Sequence, residues 1–197
     1  MKIIDYYMVT TSPWTYLGHE RLARIAADTG AEIRIKTMDL GRVFPISGGL
    51  PLPKRAPQRQ AYRLAELKRW SEHLGLPLNL HPRHFPADPM PSLRMIAAAR
   101  IVAGEKAAFE LASHALRATW AEERDVANPD ELDAMATACG LSPGVLRAAE
   151  PAANDEIDLV TERAIALQVF GAPWYQVGDE GFWGQDRLEF VERALRT

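Results

Sequence analysis

Ser12, Pro13 and Trp14 stand where a short apolar run, Ile3 to Val9, gives way to a long helical pattern. Proline suits the first turn of a helix, where its missing N–H has no intrahelical partner to lose. Ser12 therefore falls at the N-cap. Its hydroxyl and the free N–H groups behind it face whatever stands before the helix, and the helix dipole favours an anion there. A cap serine with nothing bound in front of it would have the same local sequence. Gln185 and Asp186 lie at a second helix start, after Gly184. Other groups offer less. His81 and His84 are close in sequence, but Pro82 and Pro86 deny them a helix and no further ligand cluster is near, so no metal site is expected. The one cysteine, Cys139, precedes Gly140 in an apolar helical stretch and reads as a small buried hydrophobe. Alone it forms no internal disulfide and no Cys-based zinc site.

Composition narrows the class. Hydrophobic residues are 47% and charged residues 25% of the 197 residues, the balance of a globular domain. The formal net charge is -3 and no basic stripe is visible, so nucleic acid is not an expected partner. No run approaches the ~18 apolar residues of a membrane span. The N-terminal run is too short and too alternating for a signal peptide. A reduced, cytoplasmic protein without membrane contact is expected.

The elements that must position Ser12 follow from periodicity and punctuation. Residues 2–9 read as a strand and residues 13–29 as a helix whose apolar face includes Leu17, Leu22, Ile25 and Ala26, stopped by Gly30. Residues 31–38 alternate and read as a second strand, so the three form a βαβ unit with parallel strands. Pro45, Pro51, Pro53 and Pro57, with Gly48-Gly49, predict a long loop without regular structure over most of 41–58. A helix follows over 58–73, with Tyr62, Leu64, Ala65, Leu67 and Trp70 apolar, and then a proline-rich stretch over 76–90. Helices are expected over 91–103, 105–122, 129–138, 143–149 and 154–169, the last burying Leu159, Ala166 and Leu167. Trp70 and Trp120 are expected in the core. Residues 174–177 form a strand, Gly178–Gly181 a hairpin turn, Phe182-Trp183 a second strand, and residues 186–196 a final helix.

That order, βαβ then helices then αββα, is the thioredoxin order with a helical insertion, and local motifs agree with it. Ser12-Pro13-Trp14-Thr15-Tyr16-Leu17 resembles the S-P-[YFW]-x-Y-L opening of glutathione-dependent isomerases. Val169-Phe170-Gly171-Ala172-Pro173 resembles a V-F-G-V-P segment whose proline is cis, and Phe182-Trp183-Gly184-Gln185-Asp186-Arg187-Leu188 a W/F-G-x-D-R-L segment. A weaker match, K-x-x-Y-x-x-x-D-x-x-R-W, falls on Arg59, Tyr62, Glu66 and Arg69-Trp70. Over its whole length the chain resembles the 2-hydroxychromene-2-carboxylate isomerase family and its relatives, the kappa-class glutathione transferases, in the DsbA-like branch. The resemblance implies an α/β thioredoxin-like fold (βαβ–αββα) with an inserted all-helical domain. Residues 1–40 and 155–197 would form the discontinuous thioredoxin-like domain, and residues 41–154 the insertion.

The resemblance also implies chemistry. A redox DsbA-like protein carries Cys-x-x-Cys where this chain has Ser12-Pro13-Trp14-Thr15, so disulfide exchange by that route is excluded. The implied cofactor is glutathione, its thiolate held by the Ser12 hydroxyl and the helix dipole beside Pro13 and Trp14. A cis Ala172–Pro173 bond would turn the Ala172 backbone toward the peptide, in the manner of strand addition. N–H groups at Gln185 and Asp186 would take the γ-glutamyl carboxylate, and Asp186 the ammonium. The implied reaction is thiolate addition to a conjugated substrate, rotation about the freed link, and elimination. It would interconvert 2-hydroxychromene-2-carboxylate and trans-o-hydroxybenzylidenepyruvate. For such an aromatic carboxylate, Trp14, Phe44, Tyr62 and Trp174 are candidates for an apolar wall, and Lys54, Arg55 and Arg59 for a cation. Relatives imply a homodimer and a place in aromatic compound degradation. Ser47-Gly48-Gly49 lacks the Asn that kappa-like relatives carry in that loop, and Trp174 replaces a usually small or β-branched residue. A kappa-class-like transferase or peroxidase and a non-catalytic DsbA-branch binding protein are the alternatives.

Overall fold

The computed structural model describes residues 2–197. Its sheet has four strands in the order β2-β1-β3-β4: β1 (Ile3–Met8), β2 (Glu32–Thr37), β3 (Trp174–Val177) and β4 (Glu180–Trp183). β1 and β2 are parallel, from Ile3 opposite Glu32 to Met8 opposite Thr37. They are joined through α1 (Pro13–Thr29), which Gly30 ends in the left-handed region at φ 67°. That conformation favours glycine, because any Cβ there is strained. β3 runs antiparallel to β1, with Tyr6 opposite Tyr175 and Tyr7 opposite Trp174. The Tyr6 and Tyr175 rings stack at 5.5 Å and are both fully buried. Each such side chain contributes roughly 1.5–3 kcal/mol through burial, so this cross-strand pair pins the register of the two central strands.

The helices after β2 are α2 (Leu40–Ser47), α3 (Pro57–Leu74), α4 (Met90–Ala103), α5 (Glu105–Trp120), α6 (Pro129–Ala138), α7 (Pro143–Ala148) and α8 (Glu150–Ala166). A 3-10 turn, Gln185–Arg187, leads into α9 (Leu188–Arg196). α4, α5 and α8 pack toward β2, and α9 packs on α1. Buried apolar side chains from the sheet and the helices form one cluster, with Trp120 fully buried in it and Trp70 half-buried at its margin.

Several expectations are corrected. The stretch 41–58 is not mostly irregular: α2 forms despite Pro45, and a 3-10 turn spans Leu52–Lys54. Docking explains α2. Asp39 caps it by accepting the Gly41 N–H at 2.8 Å, while the Asp39 N–H donates to Thr161 Oγ1 on α8 at 2.9 Å. Arg42 donates to Asp158 at 2.6 Å and Val43 is buried. Pro45 forgoes one helical bond on the exposed side, where water can serve the free carbonyl. α8 begins four residues sooner than residue 154, because Pro151 is tolerated in its first turn. Its buried side is Ala153, Ile157, Val160, Thr161 and Ala164. Leu159 is 67% exposed, Ala166 is exposed and Leu167 only half-buried. On α3, Leu67 alone is fully buried; Tyr62 and Ala65 face out.

Candidate functional site

The register of the central strands assembles the site. β1 ends at Met8 and β3 starts at Trp174, so the Tyr7–Trp174 pairing carries Ala172 and Pro173 past the end of β1 to the start of α1. Ser12 is the N-cap of α1, extended at φ -95° and ψ 116°. Its Oγ accepts the Thr15 N–H at 3.2 Å and donates to the Ala172 carbonyl at 2.9 Å. The Ala172–Pro173 bond is cis. Two segments 160 residues apart thus meet through one hydroxyl. Pro13 opens α1, and no side chain in its first turn is acidic, so the positive end of the helix dipole is left uncompensated.

The second helix start is tied to the same place. The Gly184 N–H donates to the Pro173 carbonyl at 3.0 Å, which fixes the Gln185–Asp186 turn beside the cis proline. The Gln185 side chain is buried and turned inward: Arg21 on α1 donates to its Oε1 at 2.7 Å and to its main-chain carbonyl at 3.2 Å. Its side-chain oxygen and its carbonyl are thus both engaged within the fold. Asp186 is exposed and pairs with Arg187 at 2.9 Å. Behind Ser12, α1 approaches this turn closely at Gly18. Nearby, Thr15 Oγ1, Tyr175 Oη and Gln185 Nε2 are buried polar atoms without a hydrogen-bond partner among the described residues.

A buried polar chain lies deeper. The Tyr6 hydroxyl meets His19 Nδ1 at 3.2 Å, and His19 Nε2 meets the Phe109 carbonyl at 3.1 Å. Burial pushes the His19 imidazole down to about 4, the Phe109 carbonyl only partly opposing it. A neutral ring fits both contacts, with Nε2–H donating to the carbonyl and Nδ1 accepting from Tyr6. Burial likewise raises the Tyr6 and Tyr175 hydroxyls far above the ordinary phenol value, so neither serves as a base.

The residues expected to line a substrate are spread over different surroundings. Trp14 is half-buried against the core. The Phe44 ring lies on Gly49, Tyr62 is 62% exposed beneath Arg69, and Trp174 reaches along the hairpin to Gln176 at 3.1 Å with Phe170 against its ring. Lys54 and Arg59 are exposed, and Arg55 donates to the Leu50 carbonyl at 2.8 Å. Sequence reasoning missed Arg21, which pins Gln185, and Arg63, which lies over Phe85 and Trp120. A basic residue on a polar helix reads as a solvated charge, and only the tertiary fold reveals its partners.

Cys139 is half-buried rather than buried, at the C-terminus of α6. Its thiol, Glu110 and His114 offer ligand-type atoms within 4.8 Å of one another. Arg117 Nη2 lies 3.3 Å from His114 Nδ1, so that ring nitrogen already has a partner. No helix is long and apolar enough to cross a membrane among the described residues.

Comparison with known proteins agrees with the fold. The DSBA-like thioredoxin domain family matches residues 3–196. A 2-hydroxychromene-2-carboxylate isomerase of Pseudomonas putida is 32% identical, over 98% of this chain and 94% of that protein. A solved structure of a 2-hydroxychromene-2-carboxylate isomerase superposes with a TM-score of 0.83 at 29% identity, covering 98% of this chain and 94% of the other. Glutathione S-transferase kappa 1 of Caenorhabditis elegans is 23% identical, over 98% of this chain and 90% of that protein. The chain belongs to the DSBA-like thioredoxin family and, within it, to the 2-hydroxychromene-2-carboxylate isomerase family, a family of isomerase enzymes.

Proposed function

We propose that this chain is a glutathione-dependent isomerase that interconverts 2-hydroxychromene-2-carboxylate and trans-o-hydroxybenzylidenepyruvate, acting as a cytoplasmic homodimer in aromatic compound degradation. One observation carries the reading: Ser12 occupies the helix start, its hydroxyl on the Ala172 carbonyl, where a redox DsbA-like protein needs cysteine. The residues fit glutathione. Trp14 presents an N–H with no helical partner before it, the Ala172–Pro173 backbone runs alongside, and Asp186 offers an exposed carboxylate at the second helix start. The name of the kappa-class relative supports the same cofactor.

Bound there, glutathione would supply a thiolate that adds reversibly to a conjugated carbon and so frees one carbon–carbon link to rotate. The protein's part is to hold that charge. Ser12 Oγ is fixed by the Thr15 N–H, and its single proton points at the Ala172 carbonyl. Turning that proton from the carbonyl to a sulfur anion exchanges a neutral hydrogen bond for a charge-assisted one, which is roughly twice as strong. The dipole of the 17-residue α1 adds to it without any side-chain movement. Residues 41–154 are read as the helical insertion.

Absorbance spectroscopy of trans-o-hydroxybenzylidenepyruvate with purified protein tests the proposal. Equilibration with the chromene only when glutathione is present, with glutathione recovered unchanged, is the expected result. The same rate without glutathione overturns it. A stable thioether or oxidised glutathione as the product favours the kappa-like reading instead.

A further inference from the structure

We propose that Arg63 is the cation of an anion subsite that takes the carboxylate of an aromatic substrate in the cavity between α3 and the 76–90 loop. The inference deepens the isomerase reading and rests on it for the substrate class. The cavity, of about 200 Å³, has Leu64, Leu80 and Phe85 as apolar wall and Gln60, Arg63 and His81 as polar groups. A cavity of ~150 Å³ is large enough for a benzene ring, so an aryl group fits here with its carboxylate.

Arg63 differs from the other cations of this region. Its guanidinium carbon lies 5.7 Å from the Phe85 ring centre and 5.9 Å from that of Trp120. No carboxylate pairs with it and no hydrogen bond holds it among the described residues. Lys54 and Arg59 are exposed and screened by water. Arg55 is tied to the Leu50 carbonyl. Burial and the neighbouring Arg55 both act against the charge on Arg63, lowering it to about 10, still protonated at neutral pH. A half-buried, unpaired guanidinium on aromatic faces costs stability and gains from an incoming anion. The position also suits the site. Trp120, fully buried, donates its indole N–H to the Thr10 carbonyl at 3.0 Å, so its ring stands between Arg63 and the segment that leads to Ser12.

Calorimetric titration with cinnamate and with its neutral isostere cinnamamide, without glutathione, tests the subsite apart from the reaction. The wild-type protein should bind cinnamate about tenfold tighter than the amide, the difference of one charge-assisted hydrogen bond. Arg63→Met keeps apolar packing on Phe85 and Trp120; it should abolish the preference while melting no lower than wild type. Arg63→Lys should retain part of it. In the isomerisation assay Arg63→Met should raise KM with kcat and glutathione affinity little changed. Equal binding of acid and amide by the wild type overturns the inference. So does a preference that survives in Arg63→Met. If acid is preferred through Arg63 but no isomerisation occurs, the subsite stands and the reaction assignment falls.

Discussion

Gly18→Ala separates the packing of the site from its chemistry. An added Cβ would stand 2.8 Å from Tyr175 Oη and 2.9 Å from Gln185 Cβ. Neither neighbour yields easily. The Tyr175 ring is fully buried and stacked on Tyr6, and Gln185 Cβ is one bond from the backbone, its amide held by Arg21. Alanine gains roughly 1 kcal/mol of helix propensity over glycine, whereas overpacking costs about 1–3 kcal/mol. With both neighbours immobile the upper part of that range applies, and the net loss is about 1–2 kcal/mol. For a chain of this length each kcal/mol lowers Tm by ~2–4 °C, so a fall of about 4 °C is expected by differential scanning calorimetry. Relief of the clash moves the Gln185–Asp186 turn away from the start of α1, and glutathione affinity, by isothermal titration, should weaken about threefold to tenfold. A variant that melts at or above the wild-type temperature, with unchanged glutathione affinity, refutes the close approach of α1 to this turn.

Two further outcomes follow from the same geometry. Ser12→Ala removes a helix cap worth ~1 kcal/mol and leaves the Ala172 carbonyl without its hydroxyl donor; turnover should fall roughly tenfold to hundredfold with glutathione binding largely intact, and unimpaired turnover in steady-state kinetics contradicts the role assigned to the hydroxyl. His19 has a folded pKa lowered to about 4 from the model-peptide ~6.5, so the unfolded chain takes up its proton first as pH falls. Its contribution is therefore complete above pH ~6.5 and lost between ~6.5 and ~4, about 3 kcal/mol in all; urea denaturation should show His19→Gln losing that part of the acid sensitivity, and an identical pH dependence in variant and wild type would falsify the buried neutral ring.

Much of the frame was legible in the sequence because local signals and tertiary demands coincide there. Pro13 and Gly30 punctuate α1, and the alternation of Ile33 and Ile35 marks β2. Where they conflict, packing wins. α2 tolerates Pro45 because Asp39, Arg42 and Val43 dock it on α8, 116 residues away at Arg42–Asp158. On α8 Leu159 points out, against its apolar type, because small residues, Ala153 and Ala164, fill the tight contact. The meeting of Ser12 with Ala172 was accessible only through motif resemblance, since it depends on the Tyr7–Trp174 register. Arg63 was hidden for a different reason. Its surroundings come from Phe85 and Trp120, on segments folded over α3 without any signal local to residue 63.

If the α1 start is a thiolate site for a borrowed sulfur, titration of bound glutathione by thiolate absorbance reveals it. The Cys139 thiol is pushed up by burial and does not report in the low range. Bound glutathione should titrate about one to two units below the ~8.5 of a free thiol, and Ser12→Ala should move the midpoint back by about one unit. A bound thiol that titrates like the free one, or a midpoint indifferent to Ser12, would mean that the α1 start does not hold the thiolate.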